Sequence, residues 1–485
     1  MTAFSLEPAQ VTWCGELRAL AAERLRPLAD KGEPGHVNRA LVAELGALGL
    51  LSRLFTSGAL DLCLMRESLA HACTEAETAL ALQGLGAHPV HTHGTETQRA
   101  RWLPGVVAGT TVAAFALSEP DAGSDAAALT LTATPSAAWA AAGEPRGPAA
   151  EAAGSGTSTA PSAESAWATE GTGTVRARSD AGHGTRAAPT GRDAVAPAAE
   201  DEANVPAPGE RAGAARDAPS GPVAPGPLAP GPLALDADPD GGCGWRLTGE
   251  KCWISNAPEA DFYTVFARTT PGAGARGVTA FLVPADRPGL SGSPLDMLSP
   301  HPIGALAFDA VPVTADDVLG EPDRGFRVAM DTLNLFRPSV GAFAVGMAQA
   351  ALDATVAHTT SRDAFGGKLR DLQTVAHQVA EMSLRTEAAR LMVYAAAAAY
   401  DEGAPDVPRR AAMAKLLATE TAQYVVDRAV QLHGARALRR GHLLEHLYRE
   451  VRAPRVYEGA SEVQRGIIAK ELYRTHDTTT EEAGT

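Results

Sequence analysis

The sequence predicts an α+β protein with an N-terminal helical domain, a middle β domain and a C-terminal helix bundle. Three observations predict this order. Apolar residues recur at helical spacing in the first part of the chain, short apolar runs bounded by turn residues fill the middle, and long Ala-rich amphipathic stretches fill the last part. With 485 residues, 45% of them hydrophobic, the chain is long enough for roughly three domains.

Residues 1–110 are predicted to form the helical domain. Leu41, Leu45, Leu48 and Leu51 recur three or four residues apart, which is the spacing of one apolar helix face. Pro and Gly residues separate such stretches, so we expect several helices rather than one long helix.

Residues 111–322 are predicted to form the β domain. Val112–Leu117 is a short apolar run that ends in a cluster of Pro, Gly, Ser and Asp, as expected of a buried strand that enters a loop. Further strands are expected at residues 129–134, 245–248, 263–267, 279–283 and 305–308.

The β domain is interrupted by a biased segment at residues 135–240. This segment is rich in Ala, Gly, Pro and Ser and almost devoid of Ile, Phe and Met. It cannot bury enough apolar surface to offset the entropy of ordering, so we expect a disordered insert at a hairpin tip. A docking tether for a partner protein is the functional alternative.

Residues 323–475 are predicted to form the C-terminal helix bundle. The stretches 376–400 and 411–433 are long, Ala-rich and amphipathic, as is typical of bundle helices. Residues 476–485 are expected to form a disordered tail.

Charge and cysteine content exclude several classes of protein. The formal net charge of −15 argues against general binding of nucleic acid or anionic membranes. Five scattered cysteines without a C-x-x-C pair predict neither a disulfide framework nor a zinc ribbon. The first residues lack a signal-peptide pattern, and charges, Pro or Gly interrupt every long apolar run. We therefore expect a cytoplasmic protein without a membrane span.

Two motifs in the β domain offer ligand-binding groups. Phe115–Asp125 combines a strand end with a Gly- and Pro-containing loop and the hydroxyls of Ser118 and Ser124, which suits a planar, partly anionic ligand. Gly249–Ala257 offers an indole face and a hydroxyl beside a strand. An ordinary turn and simple core packing are the structural alternatives for these two motifs.

The third motif, Tyr448–Arg465, contains a candidate general base. Glu458 lies between Tyr457 and Gly459, just before a predicted helix start. A carboxylate among apolar groups loses solvation, which raises its pKa toward the range useful for proton abstraction. Gly459 leaves room for a substrate to approach. A solvated, helix-capping carboxylate is the structural alternative.

Together with three further segments in the same order, these motifs resemble the acyl-CoA dehydrogenase family along nearly the whole chain outside the insert. ALSEPDAGSD and RVYEGASEVQRGIIAKEL resemble the two signature motifs of that family. GEKCWISNAPEAD, Arg337–Gln349, SRDAFGGKL and VQLHGA lie between them at similar spacing.

The resemblance implies a four-helix C-terminal bundle and an FAD held between the bundle and the β domain. The implied FAD-binding residues are Phe115, Ala116, Leu117, Ser118, Gly123, Ser124, Trp253, Ile254, Ser255, Ala460, Ser461 and Glu462. Contacts to the FAD of a neighbouring subunit are implied for Arg362, Phe365, Gln373, Gln431, Leu432, His433, Gly434 and Ala435. The implied substrate-binding residues are Ser124, Arg337 and Gly459. A shared FAD site makes a homodimer the minimum assembly, and a homotetramer is common in the family.

The resemblance also implies the reaction. Glu458 would abstract the α-proton of an acyl-CoA thioester while a hydride leaves the β-carbon for flavin N5, which gives the trans-2-enoyl thioester. The Glu458 backbone N–H would bond the thioester carbonyl, where negative charge develops. Electrons would pass to an electron-transferring flavoprotein. Some members place the base immediately before the position of Arg337, but Phe336 occupies that position here and cannot act as a base.

Departures from the family pattern affect cofactor contacts rather than the chemistry. Ala460 and Ser118 stand where Thr is usual, and Gly434-Ala435 stands where Gly-Gly is usual. Two alternatives stay open: the same reaction on a carrier-protein-bound acyl group, and a non-catalytic flavin-binding scaffold. Acyl chain length and branching also stay open.

Two histidine-containing motifs mimic metal sites. His442-Leu-Leu-Glu-His446 fits an H-x-x-E-H pattern, and His88, His91 and His93 are clustered. The first lies on a helix that the resemblance explains, and the second has no carboxylate at ligand spacing, so we expect no metal site.

Overall fold

The structure is a computed structural model and describes residues 6–136 and 244–483. Residues 137–240 of the expected insert lie outside the described residues. The N-terminal helices are α1 (Pro8–Leu20), α2 (Arg26–Ala29), α3 (Arg39–Ala47), α4 (Leu50–Thr56), α5 (Ala59–Ala72), α6 (Thr74–His93) and α7 (Glu96–Val107). A π-helical turn, Ala21–Leu25, joins α1 to α2.

The middle of the chain forms one mixed sheet. Its strands are β1 (Ala113–Ala116), β2 (Thr132–Pro135), β3 (Trp245–Ser255), β4 (Phe262–Arg268), β5 (Val278–Pro284), β6 (Leu290–Pro294), β7 (Ile303–Val313) and β8 (Val318–Leu319). The strand order is β6-β7-β3-β2-β4-β5-β8, and β1 pairs in parallel with β4. All six predicted strands are present, but β3 and β7 each extend over 11 residues.

The C-terminal helices are α8 (Gly325–Ser361), α9 (Gln373–Asp401), α10 (Val407–His433), α11 (Leu443–Glu450) and α12 (Ser461–Ala483). Helices α8, α9 and α10 pack side by side, and α12 lies against α10. A short hairpin, β9 (Asp363–Ala364) and β10 (Gly367–Lys368), connects α8 to α9. Helix α12 continues past residue 475, where the sequence-based prediction began a disordered tail.

A single apolar core joins the two helical ends of the chain. Its buried side chains come from both, from Cys14 through Leu80 and from Leu335 through Val451. Helix α5 lies directly against α8 in this core. Two further clusters fill the two faces of the sheet. The predicted α+β class, with helical ends around a middle sheet, is confirmed.

Helix α8 is long and apolar enough to span a membrane, but 72% of its most apolar window is buried inside the protein. Arg337 and Pro338 interrupt its apolar character, as the sequence predicted. Burial against α5 and α10 accounts for its apolar composition.

Candidate active site

Glu458 lies on a short loop between α11 and α12 with an unusual backbone. Its φ is +50°, and Gly459, the next residue, has a φ of +90°. A Cβ on Gly459 would collide with Nε2 of Gln464. Glycine is therefore required at residue 459 both for its conformation and for space.

Glu458 is half-buried, and its carboxylate accepts no hydrogen bond from the described residues. Its Oε2 atom is buried without a partner. Burial raises the pKa of Glu458 above its ordinary value, and the positive charges of Arg66, Lys415 and Arg337 offset only part of this effect. The backbone N–H of Glu458 likewise has no acceptor among the described residues. The loop thus presents a basic carboxylate and a free N–H donor.

The three cations that act on Glu458 come from three different helices. Arg66 lies on α5, Arg337 on α8 and Lys415 on α10, and all three are buried. Arg66 forms a buried ion pair with Glu77 of α6 and donates from Nη1 to the Ser339 hydroxyl at 2.6 Å.

Arg337 and Lys415 are bonded differently. The Nη1 atom of Arg337 donates to Asn334 at 3.3 Å, whereas its buried Nε atom has no partner. The Nζ atom of Lys415 donates to the carbonyl oxygen of Gly459 at 2.6 Å. The Lys415 bond ties an ammonium group to the Glu458 loop, whereas the Arg337 guanidinium bonds its own helix and acts on Glu458 through its charge.

Phe336, the residue before Arg337, is buried in the helical core. It packs edge-on against His88 and contacts Gly84 of α6, where a Cβ would lie 2.7 Å from the phenyl ring. Residue 336 therefore has a packing role and supplies no base. Glu458, the only carboxylate on the 453–461 loop, stays the candidate base.

A buried ion pair between Lys251 and Glu119 holds the loop that carries Ser118. The Nζ atom of Lys251 donates to the Leu117 carbonyl and to Glu119 Oε1, both at 2.9 Å. Burial raises the pKa of Glu119, but Lys251 and hydrogen bonds from Thr130 and Leu131 outweigh this effect, so it lies below its ordinary value. Burial lowers the pKa of Lys251 to about 8. The pair fixes the end of β1 to β3.

Trp253 presents an open aromatic face beside this loop. It lies at an irregularity in the β3–β7 register, has a φ of +56°, and leaves 46% of its surface exposed. The neighbouring Cys252 N–H donates to the Ser118 carbonyl at 3.0 Å. The structure thus brings the first two motifs of the sequence together.

Some residues of the first two motifs could contact FAD through their side chains, and others only through their backbone. Gly123 and Ser124 are exposed, and Phe115, Ser118 and Ser255 are half-buried. The side chains of Ala116, Leu117 and Ile254 are buried in the sheet cores, so only their backbones could contact a ligand. An open indole beside an open Gly-Ser loop fits a planar flavin ring.

The third motif contributes less to such a site. The Ser461 hydroxyl already donates to Glu420 at 2.6 Å, and the Glu462 side chain points into solvent. Ala460 is half-buried and has no hydroxyl.

The residues implied for a neighbouring subunit form a separate patch. Phe365, at the tip of the β9–β10 hairpin, is 88% exposed, and Arg362 and Gln373 are also exposed. The segment Gln431–Ala435 lies at the end of α10. It is close to the β9–β10 hairpin, since the His433 ring stacks on His358 near the end of α8 with ring centroids 4.2 Å apart. Among residues 6–136 and 244–483, no hydrogen bond links this patch to Ser118, Trp253 or Glu458.

Neither histidine motif gathers metal ligands. His442 caps the start of α11, Glu445 pairs with Arg449, and His446 bonds Thr74 at 2.6 Å. Burial lowers the pKa of His88 to about 4. Among residues 6–136 and 244–483, no group of three or more His, Cys, Asp or Glu side chains could hold a metal ion.

Sequence reasoning missed Arg66, Lys415 and Gln464. A signal existed for Lys415, which lies on the same helical stripe as the buried Ala411, Ala418 and Ala422. A lysine within an apolar stripe indicates a buried cation.

Comparisons with known proteins identify the family of the chain. The N-terminal, middle and C-terminal domain profiles of the acyl-CoA dehydrogenases match residues 8–110, 232–311 and 323–473. The probable acyl-CoA dehydrogenase FadE25 of Mycobacterium tuberculosis is 39% identical over 233 residues, 47% of this chain and 60% of that protein. The mitochondrial short-chain specific acyl-CoA dehydrogenase of Homo sapiens is 40% identical over 238 residues, 48% of this chain and 58% of that protein.

The matched region thus spans less than two thirds of the length of these relatives. Among solved structures, butyryl-CoA dehydrogenase from Megasphaera elsdenii has a TM-score of 0.71 at 25% identity. That comparison covers 97% of this chain and 99% of the other.

Proposed function

The chain belongs to the acyl-CoA dehydrogenase family, and on this premise we propose that it catalyses the FAD-dependent α,β-dehydrogenation of an acyl-CoA thioester. The observation that carries the proposal is the state of Glu458. Its carboxylate is desolvated, free of hydrogen bonds and held next to a free backbone N–H. These are the properties that removal of a weakly acidic α-proton requires.

The residues around Glu458 have distinct roles in this proposal. The Glu458 carboxylate takes the α-proton, and its backbone N–H stabilises the negative charge that develops on the thioester oxygen. Gly459 contacts the substrate through its backbone, since Gln464 fills the place of a side chain, and Ser124 and Arg337 also contact it. The fixed positive charges of Arg66, Arg337 and Lys415 favour the ionised, proton-accepting form of Glu458.

FAD is the cofactor that the site fits. Phe115, Ser118, Gly123, Ser124, Trp253 and Ser255 would hold it, with backbone contacts from Ala116, Leu117 and Ile254. When bound, FAD supplies the hydride acceptor for the β-hydrogen. The Lys251–Glu119 pair and the Cys252–Ser118 backbone bond keep the Ser118 loop beside Trp253, which holds the proposed binding surface together.

The exposed patch around Phe365 supports a shared site. Phe365 is 88% exposed at a hairpin tip, so its ring is available to a second subunit. We infer that this patch contacts the FAD of a second subunit, so that a homodimer or homotetramer forms. An electron-transferring flavoprotein is the proposed electron acceptor.

An anaerobic titration tests the function. The flavin-loaded protein is mixed with acyl-CoA thioesters of different chain length and branching, and with the same acyl groups on a pantetheine-bearing carrier protein. We expect at least one acyl-CoA to bleach the flavin absorbance and yield the 2-enoyl thioester. Bleaching by carrier-bound acyl groups alone would establish the carrier alternative, and no bleaching by any thioester would leave a binding scaffold.

The pH dependence of kcat/KM should report the raised pKa of Glu458. Activity needs the carboxylate form, so it should fall as the pH drops through the pKa of Glu458 in the free enzyme. Because burial raises that pKa, the acidic midpoint should lie above the value of about 4.3 for a solvated glutamate. A midpoint at or below the solvated value would contradict the desolvated environment.

A further inference from the structure

We propose that Lys415 is a positioning residue for Glu458. Its ammonium group holds the Gly459 carbonyl and thereby fixes the direction of the Glu458 carboxylate and backbone N–H. The inference rests on the proposed function, because it assigns a further role within the same site.

The first support is the backbone of the loop. Glu458 and Gly459 both have φ in the left-handed region, at +50° and +90°. For a residue with a side chain this conformation is strained, and it persists only where the surroundings over-determine it. Groups that hold residues 458 and 459 in place must therefore exist nearby.

Two buried donors meet at the Gly459 carbonyl. Nζ of Lys415 donates to it at 2.6 Å and Nε2 of Gln464 donates at 2.9 Å. Gln464 also donates to the Glu458 carbonyl at 3.2 Å. Both side chains are fully buried, one on α10 and the other on α12, so the loop is tied to two separate helices.

The carboxylate itself has no anchor. Neither oxygen of Glu458 accepts a hydrogen bond from the described residues, and Oε2 is buried without a partner. The position of the base is therefore set by its backbone and by packing rather than by a bond to its side chain. The bonds from Lys415 and Gln464 to the Glu458 and Gly459 carbonyls are then the polar contacts that can determine where the base points.

The charge on Lys415 strengthens this contact. A hydrogen bond from an ammonium group is about twice as strong as a neutral one. Burial lowers the pKa of Lys415 to about 8, which leaves the ammonium form predominant at pH 7. The charged groups that face this ammonium are those of Glu458, Arg337, Glu420 and Glu462. Arg66 is the remaining cation that acts on Glu458.

The test compares three variants of the flavin-loaded protein. Lys415→Met removes the donor and the charge at similar length, Lys415→Arg keeps both, and Lys470→Met is the matched control at an exposed lysine of α12. We expect Lys415→Met to lower kcat by about 10²-fold, the cost of misplacing a reacting group by roughly 1 Å. KM and flavin content should stay near wild type. Lys415→Arg should recover most of the loss.

The pH profile separates positioning from mere stability. Without the ammonium charge, the carboxylate form of Glu458 is less favoured, so the acidic limb of kcat/KM should move to higher pH in Lys415→Met. Lys415→Arg should return the limb toward wild type. A wild-type kcat and pH profile in Lys415→Met would overturn the proposal. The proposal would also be overturned if Lys415→Met and Lys415→Arg lost the same activity and had the same decrease in melting temperature.

A crystal structure of Lys415→Met gives a readout independent of activity. We expect residues 458 and 459 to leave the left-handed region in the variant, and an unchanged loop would overturn the proposal. If no thioester reduces the flavin of the wild-type protein, the proposed function fails, and the loop conformation still decides the role of Lys415.

Discussion

Replacing Glu458 with Gln is expected to reduce the rate of flavin reduction by thioester by about 10⁴-fold, the upper end of what a general base contributes. The amide has nearly the same shape as the carboxylate but cannot accept the α-proton. The flavin should remain bound, because the Glu458 side chain forms no hydrogen bond within the described residues that could support the surface formed by Ser118 and Trp253. Rapid-mixing absorbance under anaerobic conditions measures the rate.

The same substitution should stabilise the fold at neutral pH. The pKa of Glu458 is higher in the folded than in the unfolded state, so its ionisation disfavours folding at a pH above both values. Gln removes this cost, and the gain should vanish as the pH falls below both pKa values, where the wild-type carboxyl is also neutral. Melting temperatures at neutral and acidic pH test the sign.

Glu402→Gln, at an exposed glutamate after α9, is the control for both measurements. It should leave the rate and the melting temperature unchanged. An active Glu458→Gln protein would remove Glu458 from the proposed mechanism.

Replacing Lys251 with Met is expected to cost about 3–5 kcal/mol of unfolding free energy, because it leaves the buried Glu119 carboxylate without its cation. Lys251 and Glu119 are both buried, and Lys251 also bonds the Leu117 carbonyl at the end of β1. The loop that carries Ser118 should loosen, so flavin content should fall together with stability. Urea unfolding and the ratio of flavin to protein absorbance measure the two effects.

The double variant Lys251→Met/Glu119→Gln should recover part of the lost stability, since it leaves no uncompensated buried charge. Lys31→Met, at an exposed lysine, is the matched single control. A Lys251→Met protein as stable as Lys31→Met would show that the pair is not needed to hold the loop.

Much of the fold could be predicted because the helices and strands follow from local patterns of apolar residues in the sequence. Helical periodicity marked the two helical ends, and short apolar runs marked the strands. Strand β3 was predicted too short, at 245–248, since Gly249 and the register irregularity near Trp253 interrupt its alternation. The same irregularity turns the indole outward, so the feature that concealed the strand is part of the candidate site.

The approach of the three cations to Glu458 could not be predicted from local sequence, although Arg337 was expected near the substrate and the buried stripe of α10 offered a signal for Lys415. Arg66, Arg337 and Lys415 lie on helices, where a charged residue ordinarily faces solvent. Their approach to Glu458 depends on the packing of α5, α8 and α10, which joins parts of the chain separated by hundreds of residues. Sequence reasoning identified a desolvated carboxylate and missed the positive charges that moderate its pKa.

The apolar core shared by the two ends of the chain has a consequence for biosynthesis. Helix α5 leaves the ribosome long before α8, so the apolar face that packs against α8 stays uncovered until residues 325–361 are made, although α5 can already pack against α1 and α6. This part of the core therefore completes only after most of the chain has been translated. Nascent chains that stop before residue 325 should therefore bind chaperones and be degraded readily by proteases.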